Sequence, residues 1–376
     1  MATPLPPIVQ QIANQLAKLR DLPRHEARTM CAAYYTSAEF LELEKEELFR
    51  KEWICVGHEG EIPRAGDYFT TELLDEQLLI VRGQDASVRV LSNVCRHRGN
   101  IVAHGFGNAA RFTCGYHAWS YSLDGRLVAS PLMDSLDKAN CGLPEFPVEI
   151  WQRFIFVNLE DGTRPLGPAL RDIAPLIRNY HPEQCHFLFG AEETWTTNWK
   201  CLAENFMEGY HLSSLHAKTL HAITPTALCE KLPDGAAFTG YRSHFHPSCP
   251  ERGSHHPDLT PVERRSDVFY WIYPSFVVGF GPHFTLYMCL RPLTADSVGI
   301  RWGIVGLPDD PELPVVKDYI QLCKDFCAED RATLESLQKG LKTRHFAPGP
   351  LAGNNFEGTI WDMLQFMATR LGTRDL

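Results

Sequence analysis

The chain has 376 residues, of which 44% are hydrophobic and 22% are charged, and its formal net charge is −10 at pH 7. A chain of this length exceeds what one hydrophobic core normally supports, so we expect a globular protein with two domains. The acidic balance argues against nucleic acid or anionic lipid as a partner, and no stretch approaches the about 20 apolar residues of a membrane-spanning helix.

The N-terminal segment, residues 1–53, is predicted to be helical and to pack on the C-terminal domain. Residues 36–53 carry apolar side chains at helical spacing, and Ser37 or Thr36 can cap the start of this helix. Because residues 1–20 lack the apolar core of a signal peptide, we expect a cytoplasmic protein.

Residues 54–160 predict a small β domain. Short runs such as LLIVRG (78–83) and FIFVNL (154–159) have strand composition, and turns rich in Gly and Asp, such as SLDGR (122–126), separate them. A helical connector over 165–182 is expected to lead into the second domain.

Residues 161–376 predict a second domain that contains both helices and strands. A helical stretch lies near 198–221, apolar strands follow over about 268–307, and two further helices are expected over about 313–343 and 357–371. Residues 225–265 are rich in Pro, His, Gly and charge, which predicts a long loop.

The β domain contains the first candidate metal site. Cys95 and His97 form a C-x-H pair, and Cys114 and His117 form a C-x-x-H pair. Two thiolates and two imidazoles at this spacing suit zinc or an iron–sulfur cluster, and in a Rieske centre two Cys bind one iron while two His bind the other. A structural zinc site is one alternative. Another is a Rieske ferredoxin domain without a second metal, which the rest of the chain argues against.

The second candidate site contains His211 and His216. Five residues along a regular helix would place the two rings about 140° apart, so both can bind one ion only if the helix ends or distorts between them. Ser213 and Ser214 lie there, and Ser competes for backbone hydrogen bonds. Two imidazoles and one carboxylate with open positions form the facial triad of non-haem Fe(II) oxygenases. The spacing does not identify the carboxylate.

Both candidate sites lie in motifs that closely resemble those of the Rieske non-haem iron oxygenases, and the resemblance covers about 40–370. The motifs are CRHRG (95–99), YHAWSYSLDG (116–125), NWK (198–200), EN (204–205), Tyr210–His211, His216 and Glu329–Asp330. The resemblance implies an α+β fold with an N-terminal Rieske β domain and a C-terminal domain whose antiparallel sheet is covered by helices. It assigns Asp330 as the third iron ligand, with Glu329 as its rival.

The same resemblance implies cofactors and partners. We expect one [2Fe–2S] cluster and one mononuclear Fe(II), with O₂ as cosubstrate. Electrons would come from NAD(P)H through a separate reductase, with a ferredoxin as a further candidate carrier. In the family, subunits form a head-to-tail homotrimer in which the cluster of one subunit faces the iron of the next.

Two features resemble the quaternary-amine branch of the family, which includes the carnitine oxygenases. One is LESLQKG (334–340). The other is Glu208, because many members have Asp at the position that links the cluster histidine of one subunit, here His117, to the iron histidine of the next, here His211. These features favour monooxygenation, with N- or O-dealkylation as the outcome, over cis-dihydroxylation of an aromatic ring, which remains the alternative. The apolar segment 276–281 points instead to an aromatic substrate.

Several other residues carry weaker signals. His221 is a candidate spare ligand, although a histidine in a pocket or at the surface is the simpler interpretation. The aromatic run over 269–287 predicts either sheet core or the wall of a substrate pocket, since such pockets are mainly apolar. Four histidines lie in the polar loop and are predicted to be solvated or to support a site indirectly: His244, His246, His255 and His256.

Overall fold

The structure is a computed structural model that describes residues 4–160, 162, 164–250 and 255–372. The chain forms two compact units, one of Trp53–Leu166 and one of Met1–Glu52 together with Gly167–Leu376. The predicted ranges 1–53 and 161–376 and the predicted loop 225–265 each include some residues that lie outside the described ones. The predicted domain boundaries therefore stay predictions.

The unit Trp53–Leu166 consists of three antiparallel sheets, ordered β1-β11-β10, β5-β2-β3-β4-β9 and β6-β7-β8. Its strands are β1 (Ile54–His58), β2 (Asp67–Leu73), β3 (Glu76–Arg82), β4 (Val88–Ser92), β5 (Phe106–Asn108), β6 (Phe112–Thr113), β7 (Ser120–Tyr121), β8 (Leu127–Ala129), β9 (Glu145–Phe146), β10 (Val148–Trp151) and β11 (Phe154–Val157). Buried residues alternate with more exposed ones along β2, as expected for a strand with one face on the core.

The turn between β7 and β8 shows how this unit is shaped by its sequence. Gly125 has a φ of 78°, a backbone conformation that L side chains rarely adopt. The Asp124 carboxylate accepts a hydrogen bond from the Arg126 side chain at 2.8 Å. The turn folds the chain back beside the core, which includes both cysteines of the first candidate site.

The larger unit is built on a seven-stranded antiparallel sheet, ordered β12-β18-β17-β16-β15-β14-β13. Its strands are β12 (His186–Trp195), β13 (Cys229–Lys231), β14 (Phe238–His244), β15 (Ser266–Ile272), β16 (Phe276–Phe280), β17 (Phe284–Thr294) and β18 (Ser297–Gly306). The α-helices within the described residues are α1 (Pro7–Leu19), α2 (Ala32–Thr36), α3 (Ala38–Glu44), α4 (Leu166–Ala169), α5 (Ala174–Ile177), α6 (Trp199–Phe206), α7 (Leu212–Leu215), α8 (Pro314–Leu341) and α9 (Asn354–Leu371). None of the helices in the described ranges is both long enough and apolar enough to span a membrane.

The sheet corrects two sequence expectations. The segment 225–265 is not a continuous loop, because β13 and β14 form one side of the sheet within it. Strand β12 was not predicted, because few of its residues are buried and its apolar signal is weak. Pairing with β18 stabilises it, and that partner lies about a hundred residues further along the chain.

The NWK motif connects the N-terminal segment to the rest of its unit. Asn198 caps α6 by accepting a hydrogen bond from the Lys200 amide. The buried Lys200 ammonium lies 2.6 Å from the buried Glu44 carboxylate, and the Trp199 indole N–H donates to the same carboxylate at 3.2 Å. Helix α3, which ends at Glu44, is capped by the Ser37 hydroxyl. These contacts hold α3 against α6, the helix that leads into the second candidate site.

Candidate functional site

A break after α6 positions the two histidines of the second candidate site. Helix α6 ends at Phe206, and His211 and His216 flank the single turn of α7. The predicted distortion is present, but it falls before His211 rather than between the two histidines. Gly209 lies in the break, where a Cβ atom would approach the Cys229 sulfur to 2.2 Å. Its amide donates to the Phe356 carbonyl at 3.3 Å, so α9 holds the break in place.

Asp330, on α8, completes this site. Its Oδ1 lies 3.8 Å from the Nε2 of His211 and 3.2 Å from the Nε2 of His216. The three ligand atoms lie within 4.8 Å of one another, and both His216 and Asp330 are buried. The same Oδ1 is buried without a hydrogen bond. Three donor atoms that face one point, one of them a buried oxygen without a hydrogen bond, fit a divalent metal ion such as Fe(II). We call His211, His216 and Asp330 the triad.

The outer nitrogen of each triad histidine faces a carboxylate. Glu208 accepts from the Nδ1 of His211, and Glu329 lies 2.7 Å from the Nδ1 of His216. The Thr219 hydroxyl donates to the same Glu329 oxygen at 2.7 Å. A metal-bound histidine normally donates its other N–H to such an acceptor, which fixes the ring orientation. Glu329 therefore occupies the place of a supporting acceptor, whereas Asp330 faces the metal side of the rings.

The triad borders a cavity of about 760 Å³. All three triad residues contribute to its wall, and most of the rest of the wall is apolar. Its Phe and Tyr residues are Phe206, Tyr241, Phe245, Phe269, Phe284, Tyr319 and Phe326. Phe269 and Phe284 come from the aromatic run over 269–287, most of whose other members are buried in the sheet, so both interpretations of that run apply. A volume of this size accommodates a small or medium organic molecule.

The first candidate site lies at the tips of two loops in the β unit. The rings of His97 and His117 are 4.6 Å apart, and Trp119 stacks on His97 at 5.0 Å with an interplanar angle of 9°. Cys95 and Cys114 are buried in the core beneath, whereas His117 is exposed. We call these two cysteines and two histidines the cluster ligands.

The surroundings of the cluster ligands fit an iron–sulfur cluster. The Nδ1 of His97 is buried without a hydrogen-bond partner, as expected for a ring nitrogen directed at a metal. The Tyr121 hydroxyl lies 3.3 Å from the Cys95 sulfur, and the Asn100 amide donates toward the Cys114 sulfur at 3.7 Å. Hydrogen bonds to the sulfurs tune the reduction potential of such clusters.

Comparison with known families agrees with this arrangement. The Rieske [2Fe-2S] domain family matches residues 52–147, and the family of ring hydroxylating alpha subunits (catalytic domain) matches residues 178–373, which is more than half of the chain. The chain belongs to the ring-hydroxylating alpha subunit family. It is therefore the terminal oxygenase of a Rieske system, with a [2Fe–2S] domain and a non-haem iron domain, and it works with O₂ and electrons from a reductase. The predicted α+β fold class is confirmed.

Relatives of this alpha subunit include oxygenases of quaternary amines. It is 29% identical to the carnitine monooxygenase oxygenase subunit of Acinetobacter baumannii over 85% of this chain and 87% of that protein. It is 27% identical to the chloroplastic choline monooxygenase of Spinacia oleracea, over 93% of this chain and 79% of that protein.

Solved structures show the same fold. The quaternary ammonium Rieske monooxygenase CntA bound to an inhibitor superposes with a TM-score of 0.82 at 25% identity, over 93% of this chain and 98% of that one. Naphthalene 1,2-dioxygenase from Rhodococcus sp. reaches the same TM-score of 0.82 at 19% identity, over 99% and 100% of the two chains. The second likeness concerns the fold alone.

The remaining histidines of this alpha subunit lie outside the triad. His221 lies 2.9 Å from the Ser213 hydroxyl, and His244 lies 3.1 Å from Glu230. His181 and His256 form a second group with Asp258. Both ring nitrogens of His181 already lie 2.9 Å from a carboxylate, so ion pairs explain this group.

Sequence reasoning missed three supporting residues: Asn100, Tyr121 and Thr219. Tyr121 lies inside the WSY stretch (119–121) that follows the second cluster-ligand pair, so the motif itself contained a signal for it. Asn100 directly follows the CRHRG motif but is an ordinary turn residue by itself. Nothing near Thr219 in the sequence indicates that it donates to Glu329, because that contact spans 110 residues.

Proposed function

We propose that this alpha subunit is a monooxygenase that hydroxylates a carbon next to nitrogen in an alkylamine, so that the net reaction is N-dealkylation. The observation that carries the proposal is the apolar cavity that ends at the triad. A substrate in this cavity presents a C–H bond beside the metal position while the apolar walls exclude water. The likeness to carnitine and choline monooxygenases supports an alkylamine as the substrate.

The triad would hold the mononuclear iron through the Nε2 atoms of His211 and His216 and through the Oδ1 of Asp330. When bound, ferrous iron supplies reductive activation of O₂ at its open positions. Glu208 and Glu329 accept from the outer N–H groups and so keep the two imidazoles in the tautomer that leaves Nε2 free to bind metal.

The proposed reaction balances when the reductase supplies two electrons. The substrate N–CH₃ group, O₂, two electrons and two protons yield N–CH₂OH and water. The carbinolamine then releases formaldehyde, and its C–N bonding electrons stay on nitrogen. For a quaternary substrate the products are a tertiary amine, formaldehyde and one proton.

The cluster ligands would hold the [2Fe–2S] cluster, which supplies single-electron transfer when bound. The cysteine side is buried in the β unit and the His117 side is exposed. An exposed histidine edge suits transfer to another protein surface, and the surface around it includes Tyr116, which is 58% exposed.

We infer a head-to-tail homotrimer in which Glu208 connects the two metal sites of neighbouring subunits. On its own chain, Glu208 accepts from the Nδ1 of His211. It also borders an open surface groove with Tyr210, Ser213 and Thr226. The exposed His117 of a neighbour would donate to the same carboxylate. Heterologous contacts of this kind close into rings. The solved structure of a similar quaternary ammonium Rieske monooxygenase gives insights into inter-subunit electron transfer in that protein.

The cytoplasm is the proposed location. The support is that no disulfide joins any of the twelve cysteines, nine of which lie outside residues 95–141. Free thiols persist in a reducing compartment, and they are rare where disulfides form.

The test is turnover of the holoprotein with a surrogate reductase and NADH. Trimethylammonium compounds, N- and O-methyl aromatics and unsubstituted arenes are each supplied with ¹⁸O₂. We expect formaldehyde and demethylated amine in equal amounts, with one NADH consumed per product and the ¹⁸O label in the hydroxylated carbon before release. His221→Ala serves as the active control, because His221 lies outside the triad.

The second candidate is cis-dihydroxylation of an aromatic ring, which the aromatic walls of the cavity favour. It would give cis-diols that carry two ¹⁸O atoms and no formaldehyde. A screen that yields only such diols would overturn the monooxygenase proposal and retain the oxygenase assignment.

A further inference from the structure

Asp267 is a carboxylate in the wall of an otherwise largely apolar cavity. It lies on β15, where it is paired with Ser243 on the neighbouring strand. Residues two apart on a strand share a face, so Asp267 and Phe269 point to the same side of the sheet. Both line the cavity that ends at the triad.

The structure leaves room for this carboxylate but provides no partner for it. A Cβ atom at Gly281 would lie 2.4 Å from the Asp267 Oδ1, so the glycine makes space for the carboxylate. Among the described residues, none forms a side-chain hydrogen bond or ion pair with the Asp267 carboxylate. Burial alone raises the pKa of Asp267 to about 7, which reflects the lack of a nearby cation from the protein.

Aromatic side chains line the same cavity as the Asp267 carboxylate. Tyr241 and Phe269 stack at 4.8 Å, and Phe284 and Tyr319 stack at 4.5 Å. Burial is the main cause that raises the pKa of Tyr241 and Tyr319, and the charge of Asp267 adds to it, so both rings lie within electrostatic reach of Asp267. An organic cation between a carboxylate and aromatic faces gains both ion pairing and cation–π attraction.

We propose that Asp267 is a specificity-determining residue that pairs with a positively charged nitrogen of the substrate. The proposal rests on the proposed function, and it adds that the substrate enters the cavity as a cation. A neutral substrate would leave a buried carboxylate unpaired beside it, which is unfavourable, so the cavity selects against uncharged isosteres.

Arg264 is another charged residue of the cavity wall, but it does not pair with Asp267. Arg264 donates through Nε to the Leu259 carbonyl at 2.9 Å and through an Nη to the Pro257 carbonyl at 3.3 Å, so the loop holds its guanidinium. A second carboxylate, Asp318, also borders the cavity but is exposed to solvent. Solvent screens an exposed carboxylate, so Asp267 is the carboxylate that distinguishes a cation from its neutral analogue.

The test compares two probes of the same shape, (4-hydroxyphenyl)trimethylammonium and 4-tert-butylphenol, which differ by a charged nitrogen in place of a carbon. Their dissociation constants for the holoprotein are measured by calorimetry, without turnover. We expect the wild-type protein to prefer the cation by at least about tenfold, and Asp267→Asn to reduce this preference to about twofold or less. Asp318→Asn, the same chemical change in the same cavity, should retain it.

Equal affinity of the wild-type protein for the two probes, or binding of neither, would overturn the proposal whatever the variants do. So would a correctly folded Asp267→Asn protein, with unchanged iron and sulfide content, that keeps the full preference. Asp267→Glu should restore the preference in part, because it returns the charge. Loss of dealkylation with an intact preference would count against the proposed function instead, since the binding measurement does not depend on product.

Discussion

The two candidate metal sites of this alpha subunit are assembled in different ways. The cluster ligands come from two short loops within 95–117, and local β turns bring them together. The triad combines a broken helix at 207–216 with Asp330 on α8, more than a hundred residues away. The first site depends on local sequence, whereas the second depends on the packing of distant helices. We therefore expect a substitution in one site to remove its own metal and to leave the metal of the other site in place.

Replacing a triad residue should cause the largest functional loss. His211→Ala, His216→Ala or Asp330→Ala removes one of three ligands, so we expect the mononuclear iron to be lost and product to fall by about a thousandfold or more, while the cluster spectrum stays unchanged. Iron should fall from about three to about two per chain, with sulfide constant at about two. His221→Ala is the matched control. An active Asp330→Ala protein beside an inactive Glu329→Ala protein would move the ligand assignment by one residue.

Replacing a cluster cysteine should act on the other site. Cys95→Ala or Cys114→Ala should lose the brown cluster absorption and loosen the β unit, because cluster binding is coupled to folding. The control is Cys141→Ala, since Cys141 lies in the same unit but outside the cluster ligands. A normal Rieske EPR signal in either the Cys95→Ala or the Cys114→Ala protein would contradict the assignment of the cluster ligands.

Glu208→Gln tests the proposed connection between the sites. We expect both metals to remain and the cluster to be reduced normally. Single-turnover product formation should fall by roughly 10–100-fold, because the carboxylate that links His211 to the His117 of a neighbouring subunit is lost. Glu230→Gln alters an exposed carboxylate and should have no effect. Wild-type turnover by Glu208→Gln, or a fully active monomer in solution, would refute the connection.

The buried pair of Glu44 and Lys200 tests the dependence of the triad on distant packing. Glu44→Ala leaves the Lys200 ammonium buried without its partner, so we expect a loss of about 3–5 kcal/mol in the free energy of unfolding. Glu46→Ala removes an exposed ion pair with Arg50 and should cost at most about 1 kcal/mol. Denaturant unfolding measures both. A loss of similar size in the two variants would show that the buried pair has no special role.

The smallest expected effect is a pH dependence of the protein's stability that arises from Glu204. Burial raises the pKa of Glu204 to about 8, and the Tyr35 hydroxyl donates to its carboxylate at 3.2 Å. A carboxyl whose pKa is higher in the folded than in the unfolded protein binds more protons when folded, so stability falls as pH rises from about 4.5 to about 8. Glu204→Gln should weaken this decline, which melting temperatures at pH 6.5 and 8.5 would reveal. An unchanged slope would contradict it.

Much of this architecture was predictable from the sequence. The CRHRG and YHAW stretches predicted the first site, because ligands two or three residues apart are already close in any tight turn. Helices α3, α8 and α9 were expected near their observed positions, since their apolar residues recur at helical spacing. The two candidate metal sets and the oxygenase class followed from these motifs.

Other features depended on tertiary structure. Strand β12 and the pair β13–β14 have weak sequence patterns and form because distant strands pair with them. The sequence also did not reveal the contrasting positions of Glu329 and Asp330. Adjacent residues of α8 point in different directions. Only the packing of α8 on the broken helix decides which of the two carboxylates faces the metal side of the histidine rings.

The sequence by itself determined the types of ligand, their local spacing and the helices with strong periodicity, because these depend on covalent distance and on each segment's own pattern. Only the tertiary structure decided where the cavity lies and which carboxylates border it. Asp267 illustrates the limit. Its neighbours in the sequence describe an ordinary strand, and its isolation within an apolar wall arises from Gly281, Phe284 and Tyr319, which fold around it from other elements.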